Sequence, residues 1–117
     1  MLQKLHLFEH FDIDGFLTDK NIIVKGVRKW TDQKTGKLLG SKVDTIIIAD
    51  NTDYGISENE EVVSNLFETL TIKVPKIINK LPMKTEVRPI NAKAKIYGDY
   101  HNQLSIVAEN IEVIKKQ

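Results

Sequence analysis

From Lys84 to Ile114 the chain alternates with a period of two on both sides of a short polar stretch, and this constrains the fold more than any other feature. In the first arm Ile90, Ala92, Ala94 and Ile96 fall on one side, with Asn91, Lys93, Lys95 and Tyr97 between them. A strand places successive side chains on opposite faces, so each set shares a face. Gly98-Asp-Tyr-His-Asn-Gln103 supplies a turn, and Leu104 to Ile114 forms the second arm. One face is small and apolar, as the inside of a tight barrel requires. The other carries two lysines and then a tyrosine.

The remaining strands follow from similar patterns. Asn21 to Trp30 mixes Ile22, Ile23, Val24 and Val27 with Lys25, Arg28 and Lys29, and Gly26 in its middle predicts a bend. Thr31-Asp-Gln-Lys-Thr-Gly-Lys37 reads as a hairpin loop, with Gly36 free to take positive φ. Leu38 to Asp50 returns as a second strand, Asn51 to Gly55 is a turn, and Phe67 to Val74 alternates as a third strand that Pro75 halts. Ser57 and Glu60 have the spacing of a capping box. Lys76 to Leu81, bounded by Pro82, predicts one or two helical turns. Lys115-Lys-Gln117 is a basic tail.

The expected architecture is therefore all-β: a five-stranded OB-fold barrel over residues 20–117, a short helix between strands three and four, and an N-terminal extension over residues 1–19. Ala92, Ala94 and Ala108 would fill the barrel, and Gly26 would let the first strand serve both its halves. A β-sandwich is the alternative, but it needs about seven strands.

Composition narrows function by exclusion. At 117 residues the chain is long enough for one modest core. It has no cysteine, so disulfides, thiolate metal sites and cysteine nucleophiles are out. The opening Met1-Leu-Gln-Lys-Leu-His-Leu-Phe8 lacks the apolar core of a signal peptide, and the longest apolar run is Ile46 to Ala49. A cytoplasmic protein without membrane insertion is expected. No Ser-His-Asp set, nucleophile elbow or Gly-rich phosphate loop occurs, and no cofactor is implied. His6, His10 and His101 do not make a metal-ligand set.

Net charge is only +1, yet the charges are blocked. Residues 20–42 carry seven basic residues against Asp32 alone, residues 43–70 carry seven acidic residues and no basic one, and residues 71–103 are basic again. A basic and an acidic face are expected. Basic side chains that track phosphates, with aromatic rings on which bases stack, make a single-strand binding surface. The candidates are Arg28, Lys29 and Trp30, then Lys34, Lys37 and Lys42 around the first hairpin, and Lys93, Lys95, Tyr97 and Tyr100 at the last. Tyr54 lies in the acidic region and reads as structural.

Two resemblances bear on this reading. Ile90-Asn-Ala-Lys-Ala-Lys-Ile-Tyr97 and Leu104-Ser-Ile-Val-Ala-Glu-Asn-Ile-Glu-Val-Ile114 look like the last two strands of bacterial single-stranded-DNA-binding proteins. Over residues 20–114 the pattern also resembles the small OB-fold proteins of conjugative elements, plasmids and phages. The resemblance implies a non-enzymatic binder of single-stranded DNA with little sequence preference, acting in replication or in conjugative or phage DNA processing beside proteins of those systems. No acidic tail like that of the housekeeping members follows residue 114 in this sequence, so the resemblance does not extend to recruitment of their partners. DNA versus RNA and self-association stay open.

The second resemblance is local. Asp12-Ile-Asp14-Gly-Phe16 resembles the signature of haloacid-dehalogenase-type phosphotransferases, in which the first aspartate attacks phosphorus and the second is the acid/base. Phe16 departs from that signature and no buried strand precedes it, so the stretch is read as a turn and no residue is assigned a catalytic role. The other alternative is a protein-interaction module that uses the acidic residues 50–61 and does not touch DNA.

Overall fold

The computed structural model describes residues 1–3, 11–51, 64–79, 81–98 and 103–114. Helix α1 (Ile13–Leu17) precedes seven strands: β1 (Lys20–Thr31), β2 (Leu38–Asp50), β3 (Thr69–Val74), β4 (Glu86–Ile90), β5 (Lys93–Tyr97), β6 (Gln103–Val107) and β7 (Asn110–Val113). They form one mixed sheet in the order β5-β6-β3-β2-β1-β4-β7, with β3 and β6 parallel and the other neighbours antiparallel. The fold is mainly β, as expected.

Three expectations about the architecture need correction. The sheet is open, not a closed barrel. The strand count is seven because each arm of the last hairpin is broken in two. Asn91 takes φ +50° between β4 and β5, a left-handed conformation that turns the strand. Opposite it, Ala108 N–H donates to Lys73 and Glu109 N–H to Ile90, so the second arm changes partners between β6 and β7. Even so, one register runs through both halves: Ile90 faces Asn110 and Lys93 faces Val107, with no residue gained or lost between them.

The third correction concerns the helix. Among the described residues between β3 and β4 none is helical. The segment is held to β2 instead: the Ser41 hydroxyl donates to the Lys76 carbonyl, which a helix would have bonded internally, at 2.8 Å and accepts from Ile78 N–H at 2.9 Å. The helix instead lies at residues 13–17, within the stretch read as a turn. Asp12 caps it, its Oδ1 accepting from Gly15 N–H at 3.0 Å.

The expected bend at Gly26 is a β-bulge. Val24 pairs with Thr45 and Gly26 with Asp44, leaving Lys25 as the extra residue. The β1–β4 ladder is short, Ile22 and Ile23 against Val87 and Glu86. Thr85 accepts from Val24 N–H on this edge, and alternation turns Pro89 to the same edge, where it has no N–H to offer.

The core gathers the inward side chains of all the central strands: Ile22, Val24, Val43, Ile47, Ile72, Val74, Val87, Ala94 and Ile106 are buried. Ile13 and Leu17 belong to the same cluster, so the segment expected as an extension helps to build the core. Phe11 N–H donates to the Ala94 carbonyl at 3.1 Å and ties that segment to β5. Among the described residues no helix is long and apolar enough to cross a membrane.

Candidate nucleic-acid interface

Pairing across the sheet brings together cations that are distant in sequence. Arg28 on β1 pairs with Lys42 on β2, and Lys42 with Lys73 on β3. Lys73 pairs with Val107 on β6, and Val107 with Lys93 on β5. Neighbouring strands lie about 4.8 Å apart, so this row crosses about 19 Å of sheet at right angles to the strands. The residues flanking Arg28, Lys42 and Lys73 along their strands, Val27, Val43, Ile72 and Val74, point inward, which puts the cations on the outer face.

The neighbourhood of the row is polar and concave. A groove of about 470 Å³ is lined by Arg28, Lys42, Thr71, Lys73, Tyr97 and Ser105, among others. Trp30 is half-buried two residues from Arg28, and the Lys73 ammonium lies 5.8 Å from its ring centroid. Tyr97 is 50% exposed at the end of β5. It also borders a second cleft of about 600 Å³ lined by a mixture of apolar residues such as Phe11, Phe16 and Leu104 and polar ones such as Glu68 and Gln103.

Arg28 differs from the lysines in being paired. Its Nε and Nη2 donate to the two oxygens of Asp44 at 2.7 and 2.9 Å, and Thr71 Oγ1 donates to Asp44 Oδ1 at 2.7 Å. Those hydrogen bonds hold the Asp44 carboxyl below its usual range, chiefly through Arg28, against an opposing effect of partial burial. The same carboxylate raises the Arg28 guanidinium further above its ordinary value. Among the described residues no carboxylate pairs with Lys42, Lys73 or Lys93.

The predicted residues therefore divide. Arg28, Lys42 and Tyr97 line the groove, and Trp30, Lys93 and Lys95 alternate onto the same outer face without lining it, Lys95 opposite Ser105. Lys34 and Lys37 sit in the exposed hairpin between β1 and β2, whose turn is closed by Asp32 accepting from Lys34 N–H. Lys29 alternates with Arg28 onto the other face, opposite buried Ser41. Tyr100 lies outside the described residues, as do His6, His10, His101, Tyr54, the Ser57–Glu60 cap and the 115–117 tail. Lys73 is the residue missed. Its outward phase on β3 was legible in the sequence, but its place between Lys42 and Val107 depends on two strand pairings.

The rival readings also meet the structure. Of the acidic residues 50–61 only Asp50 and Asn51 are described, and the Asp50 side chain is fully buried against Lys20. Asp12 serves as a helix cap. Among the described residues no three acidic or histidine side chains are grouped to hold a metal. Comparison of the chain with protein-family models, with curated proteins and with solved structures finds no match.

Proposed function

We propose that the outer face of β1, β2, β3, β6 and β5 binds single-stranded nucleic acid, such as single-stranded DNA, with little dependence on sequence. The row of Arg28, Lys42, Lys73 and Lys93 carries this reading. Lys42 and Lys73 stand directly opposite each other, like charges so placed are unfavourable, and a phosphate backbone laid across the strands relieves that repulsion. Trp30 and Tyr97 flank the row with ring faces suited to bases, while β-sheet backbone and side-chain hydroxyls offer no dense code of base-specific contacts. Binding proceeds without chemistry, by neutralisation and stacking.

The proposal treats the sheet as a variant of the OB-fold. The register shared by the β4–β7 and β5–β6 ladders makes the last two arms one bent hairpin, bonded to β1 at one end and β3 at the other. That connectivity supports a barrel-like wrapping in which the groove faces the surface that OB-folds use for oligonucleotides.

The test is fluorescence anisotropy of a labelled oligo-dT of about 30 nucleotides, longer than the roughly 4–16 nucleotides one OB-fold covers, titrated at low and moderate salt. Binding that weakens with salt and exceeds duplex binding supports the proposal. Absence of binding at low salt overturns it.

A further inference from the structure

Arg28 is chemically distinct from the other cations in its row. Its Nε–Nη2 edge is bonded to both Asp44 oxygens, while its side chain remains 58% exposed and that of Asp44 only 17%. The pair has no net charge to offer a phosphate. For a phosphate to take the Nε–Nη2 edge, it would have to displace a mostly buried carboxylate and leave it facing a second anion, and a phosphate at the Nη1 end would meet a pair whose charge Asp44 already cancels. The pairing fixes the guanidinium's orientation through its Nε–Nη2 edge, and the side chain, still 58% exposed, presents its plane and its Nη1 end to solvent. Lys42, Lys73 and Lys93 have the opposite character, as point charges with no carboxylate partner among the described residues.

We infer that Arg28 is a stacking platform for a nucleobase, oriented by Asp44, while Lys42, Lys73 and Lys93 take the phosphates. This rests on the single-strand reading above and assigns separate tasks within it. The strand crosses the sheet with its backbone along the lysines and one base turned toward the β1 end of the groove, where guanidinium planes and bases stack as they do in single-strand recognition generally. Asp44 is a positioning residue and does not touch the nucleic acid.

Salt dependence separates the two tasks, because each phosphate neutralised on a single strand adds about 0.7 to the slope of log affinity against log salt. Oligo-dT binding is measured over a salt series for the wild type, Lys42→Ala, Arg28→Lys and the charge-neutral double variant Arg28→Ala/Asp44→Ala. Thermal melts verify folding. Lys42→Ala should flatten the slope by about 0.7. Arg28→Lys keeps the charge and loses the plane, and should bind at least about five-fold more weakly, the low end for one stacked base. The double variant should lose affinity at unchanged slope. An Arg28→Lys variant that binds like the wild type, or a double variant whose slope flattens as in Lys42→Ala, overturns the assignment while leaving single-strand binding intact. Failure of the wild type to bind overturns both.

Discussion

Lys42 on β2 and Lys73 on β3 stand directly opposite each other in the antiparallel ladder, on the solvent side of the sheet, with no acidic residue between them. Like charges directly opposite on a sheet cost stability in the free protein.

Lys73→Glu should therefore separate stability from binding. The substitution turns a like-charge pair into an opposite-charge pair and should raise stability by about 0.2–1 kcal/mol in urea unfolding. The same change should weaken oligo-dT binding about ten-fold or more at low salt. Lys93→Glu/Lys95→Glu should also weaken binding while the fold persists. A Lys73→Glu protein that binds normally would place the ligand elsewhere.

The buried Lys20–Asp50 pair is structural. Both side chains are fully inaccessible with Nζ and Oδ1 3.4 Å apart. Lys20 also donates to the Phe16 carbonyl at 2.8 Å and lies 4.0 Å from the Phe16 ring centroid, so it closes the end of α1. Lys20→Met should cost about 3–5 kcal/mol by removing the cation from the buried Asp50 carboxylate, which still accepts from Asn65 N–H, and Lys20→Met/Asp50→Leu should recover part of that loss. Urea midpoints of the three proteins test it; equal loss in single and double variants would show that the charge is not the cause.

Gly40 and Gly26 should respond oppositely to alanine. A Cβ on Gly40 would overlap the Val74 carbonyl oxygen and lie 2.8 Å from the Pro75 Cα, both backbone atoms that cannot swing aside. Gly40→Ala should lose about 1–3 kcal/mol. At Gly26 a Cβ meets nothing within 4 Å, and the bulge there does not require a positive φ. Gly26→Ala should leave the melting temperature unchanged or slightly higher.

Acid should expose the Arg28–Asp44 pair. Arg28's hydrogen bonds depress the Asp44 carboxyl in the folded state, aided by Thr71 and by the charges of Arg28 and Lys25. The unfolded chain then binds the proton more readily, so the contribution is complete above the ordinary carboxylate value of about 3.9 and is lost as pH falls through the lower folded value. Urea midpoints should fall more steeply for the wild type than for Asp44→Asn below about pH 4. Parallel profiles would mean that the pair adds nothing to stability.

Periodicity alone made much of this protein legible. The alternation of Ile90 to Tyr97 placed Ala94 inside and Lys93 and Lys95 outside, and the Val43 to Ile48 run carried buried Val43 and Ile47. Gly26 announced an irregularity, and the bulge is there. These features are local: the pleat dictates which way a side chain points whatever the strand pairs with. Other features were decided between segments. Where the sequence predicts one or two helical turns at residues 76–81, the described residues are not helical and Ser41 bonds to backbone 35 and 37 residues away. Ile13 and Leu17 entered the core because the sheet left a surface for them. The line through Arg28, Lys42, Lys73 and Lys93 depends on register across four ladders, and the phase of one strand carries no information about the register of the next. Sequence determined the faces of the strands; tertiary pairing decided which charges became neighbours.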